Sequence, residues 1–479
     1  MLSGKILQAR GWPQGKVIGL AKIAGQKLED AGLEREAALD RLDAVRAKPG
    51  EYLTDPVLAD LARECLRRAQ AEAAPRDDTL REQPLEYGVW GAEQIEASAS
   101  EQMRNALRLP VAVAGALMPD AHVGYGLPIG GVLATSGAVI PYAVGVDIAC
   151  RMRLSVYPVS PHLLGQKPAL MRKALVEQTR FGMGAAWERR VGASDGRPQH
   201  PVLDDPAWEA TRGLKSLRPK AEQQLGTSGT GNHFVEWGVL RLYADEPDLG
   251  LKAGEYLALL SHSGSRGVGF KIASTYSDIA FQQHPKLEKS LRHLAWLDLA
   301  SEAGQEYWLA MELAGRFAAA NHEVIHHRVA RAAGLAEAAV VENHHNWAWS
   351  EQLADGTEVI VHRKGATPAG PGVLGVIPGS MGDPGYVVRG KGLPTSLQSA
   401  SHGAGRRMGR RAALNSIGKS ARDEYLRARG VTLLGGGLDE SPQAYKDIEA
   451  VIAAQDELVE VIGKFTPRIV RMADEAGEY

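Results

Sequence analysis

The sequence predicts an α+β protein. One large domain over residues 88–479, with mixed, largely antiparallel sheets and surrounding helices, follows a small helical module over residues 1–87. Three observations lead there. The first stretch carries apolar residues at helical spacing with charges between them. From about residue 88 the texture changes to short β-branched and apolar runs broken by glycine. Helix-like stretches then alternate with glycine-rich turns, without a fixed-period repeat.

In the module, "LEDAGLEREAALDRLDAVRAK" and "DPVLADLARECLRRAQAEAA" are amphipathic helices. Thr54 or Asp55 would cap the second, with Pro56 in its first turn. Cys65 on that helix reads as a small buried residue. "GWPQGKVIG", residues 11–19, reads as a helix-start turn rather than a phosphate contact. "AAPRDDTLREQP" reads as a linker. The segment from "PVAVAGALMPDAH" to "GVDIACRMRLSVYPVS" then gives strands and turns, and helices are expected near 165–180, 208–224 and 285–335.

Composition narrows the function classes. Hydrophobic residues make up 44%, enough for a large core, yet eighteen uninterrupted apolar residues occur nowhere. No membrane partner is expected. Two cysteines make no disulfide framework, and the N-terminus lacks the apolar core of a secretory signal, so a cytoplasmic location is expected. A net charge of −2 gives the whole chain no nucleic-acid signature, so any polyanion site must come from local charge.

Local chemistry concentrates in turns at the ends of apolar runs. Asp147 and Cys150 close "GVDIAC". "LGTSGTGNHFVE" holds Asn232, His233 and Glu236, and "SHSGSRG" holds His262 and Arg266. "ENHHN" holds His344, His345 and Asn346, and "SHGAGR" holds His402 and Arg406. Loops on a rigid frame are where reactive groups are usually placed. Thiolate, imidazole and carboxylate together suit zinc, manganese or cobalt, and one thiolate can bridge two cations. Asp-x-x-Cys alone would be weak evidence, because a lone cysteine is usually a buried structural thiol. Four histidine-bearing turns strengthen it. His322, His326 and His327 read instead as a partly exposed helix face, and His284 and His293 have no supporting motif. Asp120 and His122, two apart, would share a strand face as a carboxylate–imidazole pair. The cations after His402, in "GAGRRMGRRAALNSIGKSARDEYLRAR", fit either an RNA phosphate surface or a solvated helix face.

Taken together, "MPDAHVGYGLPIGGV", "GVDIAC", "LGTSGTGNHFVE", "HSGSRG", "HHN", "RKGATPAGPGVLGVIPGSMGDPGYVVRGKG", "SHGAGR" and "GGGLDESPQAYKDI" resemble the RtcB family of RNA ligases, in the family's order, over roughly residues 88 to 472. The resemblance implies a nucleotide-dependent ligase that joins RNA 3′-phosphate or 2′,3′-cyclic phosphate ends to 5′-hydroxyl ends, in RNA repair or tRNA splicing. It implies two Mn2+ ions, one held by Asp147, Cys150 and His233 and the other by Cys150, His262 and His345. It makes His402 the nucleophile that takes GMP from GTP. Asn232, Ser380, Arg406 and, for guanosine, Glu236 and Tyr445 match nucleotide-binding positions. Arg266, Lys364 and Arg410 match positions near phosphates or the rim. The chain also departs from the family pattern. Ala473 stands where a C-terminal lysine contacts guanine, Arg151 follows Cys150 where glycine is common, and Tyr125 replaces a frequent lysine. The first 90 residues have no counterpart and would dock an RNA or a protein. A metal phosphoesterase acting on cyclic-phosphate ends and a non-catalytic RNA-end-binding protein are the competing readings.

Overall fold

A computed structural model describes residues 3–13, 16–73, 78–188 and 196–474. Its α+β architecture agrees with the sequence. The N-terminal helices Gly4–Ala9, Lys16–Asp30, Arg35–Ala47 and Ala59–Ala73 enclose a core of their own, built on Leu7, Trp12, Val17, Leu39, Leu42 and Leu61. The Trp12 indole donates to Asp43 Oδ1 at 2.7 Å, which lets this large side chain be buried without an orphaned N–H. Asp55 accepts from the amides of Val57 and Leu58 in the turn that feeds the last helix, and Cys65 is buried. Residues 14 and 15 of the turn expected at 11–19, and residues 74–77 of the linker, lie outside the described residues. Past them, the linker is tied down: Asp78 bonds His284 Nδ1 at 2.6 Å, and Arg81 donates to the carbonyls of Pro110 and Ala112.

Two large sheets and two two-stranded ones carry the rest. A five-stranded sheet runs in the order Gly88–Val89, Ala112–His122, Ile129–Thr135, Glu358–Lys364 and Asn346–Gln352, antiparallel except for its first pair. An eight-stranded sheet runs Leu374–Ile377, Gly385–Gly390, Val459–Met472, Phe234–Leu242, Gly254–Ser263, Arg151–Tyr157, Ala339–His344, and Thr432–Leu434 lies parallel beside Val459–Met472. Side-chain alternation places Val235 and Trp237 on one face, against Ile325 and Val329 of the helix Glu302–Ala333. Leu240 faces the other way, with Leu154, Leu260 and Phe465. Both faces are covered, so strand Gly254–Ser263 reads as a continuous apolar run rather than an alternating one.

Three expectations need correction. The helix expected over 285–335 begins at Glu302, where the Ser301 hydroxyl caps the Gly304 amide; residues 289–294 form a separate short 3-10 turn. The helix Arg266–Gln283 was not anticipated, because two glycines in its first turn mask its periodicity. His322 and His326 are buried rather than partly exposed. They face the sheet, where Ser261 Oγ bridges His322 Nδ1 and His326 Nε2 at 2.7 Å each. Only His327 of the three is exposed. No helix among the described residues is long and apolar enough to cross a membrane.

Candidate active site

The candidate site grows out of strand register. Phe234 pairs with His262, and Arg151 pairs with both Ser263 and His344. The ends of four neighbouring strands therefore bring His233, His262, Cys150 and His345 to one edge of the sheet. Cys150 Sγ lies 3.1 Å from His262 Nε2 and 3.4 Å from His233 Nε2, and the Nε2 atoms of His262 and His345 are 3.2 Å apart. Asp147 joins them through a tight turn in which Ala149 adopts a left-handed φ of 55°. A Cβ on Gly264 would sit 2.3 Å from the Asp147 carboxylate, so only glycine lets the next loop pass. His344 turns away and stacks on Trp349 at 5.1 Å.

His402 follows the short strand Ser399–Ser401 and faces this cluster, its ring centroid 4.9 Å from that of His345. Its Nδ1 is 2.6 Å from Asp120 Oδ2, which also accepts the amides of His402 and Gly403. This corrects the expected Asp120–His122 pair: the carboxylate serves His402, and His122 Nδ1 meets only the Asp120 carbonyl, at 3.1 Å. Burial opposes ionisation of Asp120, but His402, Lys446 and His122 outweigh it and hold the carboxyl below its ordinary range. An Asp120 carboxylate accepting from Nδ1–H leaves the Nε2 lone pair of His402 free.

A cavity of about 650 Å³ opens over His402 and His262, lined also by Asn232, Ser380, Arg406, Arg410 and Tyr445. Arg406 donates to the Asp439 carbonyl at 2.7 Å and lies 5.2 Å over the Tyr445 ring, while Arg410 pairs with Asp439 at 2.5 Å and with Glu440. Ser380 donates to Asp383 at 2.5 Å. Glu236 does not line the cavity; it is buried in its strand, one side-chain repeat beyond Phe234, and burial pushes its carboxyl well up. Arg266 is buried and donates to Thr227 Oγ1 and the Gly182 carbonyl, with burial pulling its pKa down to about 10. Lys364 is also buried, donating to the Tyr125 carbonyl at 2.5 Å, and burial pushes its pKa down to about 7.

The donor set fits a divalent ion. Asp147 Oδ2 lies 3.1 Å from His233 Nε2 yet receives no hydrogen bond of acceptable geometry, and it is buried. His262 gives its Nδ1 side to the Asn232 carbonyl at 3.0 Å, which directs the Nε2 lone pair at Cys150. His233 accepts the Gly229 amide at Nδ1, and its Nε2 faces Cys150 Sγ at 3.4 Å and Asp147 Oδ2 at 3.1 Å. Burial, then Asp147, raises the Cys150 thiol well above its usual range; burial lowers His262 to about 3 and also holds His345 well below the usual imidazole range. The pocket thus favours a neutral thiol and neutral imidazoles. A bound cation reverses that preference for sulfur, since a coordinating thiol is deprotonated. Residues 150, 233 and 262 are the one group among the described residues whose donor atoms all lie within 4.8 Å of one another.

Four contributors do not receive these roles from the sequence. Asp120 is legible only through "MPDAH", which suggests the wrong partner. Asn321, inside the long helix, accepts the amides of Gly226 and Thr227 and so fixes the loop before His233. Phe234 and Met472 supply apolar wall to the cavity.

Fold and site define an enzyme: an α+β frame in which a soft-donor cluster stands behind one carboxylate-held histidine at a cavity. A family model described as tRNA-splicing ligase RtcB matches residues 102–473. The RNA-splicing ligase RtcB of Escherichia coli K12 is 35% identical over 393 residues, covering 77% of this chain and 92% of that protein. The tRNA-splicing ligase RtcB of Archaeoglobus fulgidus is 31% identical over 430 residues, covering 77% and 88%. RNA-splicing ligase RtcB homolog 1 of Entamoeba histolytica is 28% identical over 445 residues, covering 78% and 83%. The chain belongs to the RtcB family of RNA ligases.

Proposed function

We propose that the protein joins RNA 3′-phosphate or 2′,3′-cyclic phosphate ends to 5′-hydroxyl ends, with GTP as the activating nucleotide and His402 as the covalent carrier. The observation that carries this reading is the 2.6 Å contact between buried Asp120 and the Nδ1 of His402, which lines the cavity. Asp120 holds one ring proton in place, so the opposite nitrogen is the nucleophile. His402 Nε2 attacks the α-phosphorus, a P–N bond forms, and pyrophosphate leaves. The RNA 3′-phosphate then attacks that phosphorus and frees the histidine. Finally the 5′-hydroxyl attacks the activated end and expels GMP.

Asp147, Cys150, His233, His262 and His345 would hold two Mn2+ ions, with Cys150 shared; the ions would supply charge neutralisation at the transferring phosphates. The nucleotide would enter beside Asn232, Ser380, Arg406 and Tyr445, the residues that line the cavity with His402. Glu236 would act from beneath Phe234 rather than from the cavity wall. Ala473 is buried, and its carbonyl accepts the Gly436 amide. It offers no side-chain donor to a nucleobase, so selectivity for guanine rests on the rest of the pocket. A cytoplasmic role in RNA repair or tRNA splicing accords with this chemistry.

The test is incubation with manganese and each of the four α-labelled triphosphates. We expect an acid-labile protein–nucleotide adduct, strongest with GTP and lost in His402→Ala. Opening of cyclic phosphates without any adduct would instead make the protein a phosphoesterase, and RNA binding alone would make it an end-binding protein.

A further inference from the structure

We propose that Tyr125 is a stacking ledge for a base of the RNA strand next to its reacting end; this rests on the ligase reading. The segment from His122 to Tyr125 forms one wall of the His402 cavity. Its backbone is held by three side chains, two from the helix Ala97–Leu107 and its N-cap and one from the strand Glu358–Lys364. The Val123 amide donates to Glu96 at 3.2 Å. Gly124 exchanges two hydrogen bonds with the Gln102 amide group, at 2.9 and 2.6 Å. Buried Lys364 donates to the Tyr125 carbonyl. Gly126 turns back at φ +73°, where a Cβ would lie 2.7 Å from the His293 carbonyl.

A backbone pinned this thoroughly nevertheless presents apolar side chains to water. Val123 is 45% exposed and Tyr125 is 70% exposed. The Tyr125 ring is not loose: it makes a T-shaped contact with His293 at 5.5 Å, and His293 rests on Tyr142 at 4.2 Å. With 70% of Tyr125 exposed, this contact leaves ring area open to a ligand. An exposed aromatic on a rigid support suits an unstacked nucleobase, which binds by its π-face without needing a particular sequence. Continuity with the cavity selects the occupant, because an RNA end that delivers its phosphate to His402 must leave across the rim. Tyr125 shares the cavity lining but is not in the Asn232, Ser380, Arg406 and Tyr445 set proposed for the mononucleotide, so it is assigned to the strand.

The experiment uses the full chain and a short RNA with a 3′-phosphate and 2-aminopurine near that end, read by fluorescence and by ligation kinetics. We expect quenching on binding to the wild-type protein. Tyr125→Ala should lose most of the quench and bind roughly tenfold more weakly, as stacking on one aromatic residue predicts. The change should appear in KM for RNA rather than in kcat, and Tyr125→Phe should restore it. Equal quenching and affinity in Tyr125→Ala overturns the ledge while leaving the ligase reading intact, and so does a defect that Phe fails to rescue. A defect confined to adduct formation from the triphosphate assigns Tyr125 to the mononucleotide and also overturns the proposal. No RNA binding by the wild-type chain overturns both readings.

Discussion

At the scale of single residues, the proposed metal site would rest on groups whose ligand chemistry is suppressed without a cation. Cys150 is a neutral buried thiol against Asp147 and two imidazoles. Serine in its place is nearly isosteric but remains a hydroxyl at neutral pH and bridges cations poorly. Cys150→Ser should therefore bind less than half the manganese of the wild type by elemental analysis, at both positions together, with the fold retained by circular dichroism. Undiminished metal would show that the thiol is not shared. Cys150 and the histidines could be picked from the sequence because they sit in turns beside glycine. The Asp120–His402 pair could not, because 282 positions separate its members and only tertiary packing brings them together.

Secondary elements explain both what was legible and what was hidden. Strand Phe234–Leu242 and the helix over 212–224 announce themselves by periodicity and caps. Helix Arg266–Gln283 does not, since its formation rests on burial of Val268, Ile272, Ala273 and Ala280 rather than on propensity. The buried histidines of Glu302–Ala333 were misread for a related reason: polar residues at helical spacing look solvated unless their partners, Ser155 and Ser261 on the sheet, are known. The same helix positions the loop before His233 through Asn321. Asn321→Ala leaves the buried Gly226 amide without an acceptor, whereas the Thr227 amide keeps the Gln224 carbonyl, at a cost of about 1–3 kcal/mol. Thermal unfolding should move down by several degrees, and manganese affinity should fall with it. An unchanged melting temperature would mean that the loop is held by other contacts.

For the whole molecule, the N-terminal helices form a body with its own core, joined to the rest by the Arg68–Glu302 ion pair at 2.9 Å and by the Asp78–His284 and Arg81 contacts. We expect a chain beginning at Asp78 to fold and to form the nucleotide adduct within about twofold of the full-length rate. RNA affinity should drop if the module docks RNA and stay constant if it docks a protein. Loss of solubility on truncation would show instead that the two parts share one cooperative core. The donors also have a temporal consequence. They come from segments spread between Asp147 and His345, and the last supplies the outer strand of its sheet. A nascent chain halted anywhere before that strand lacks His345 and cannot gather the full set, so any ion that these five residues hold would gain its complete coordination only after that strand has been made.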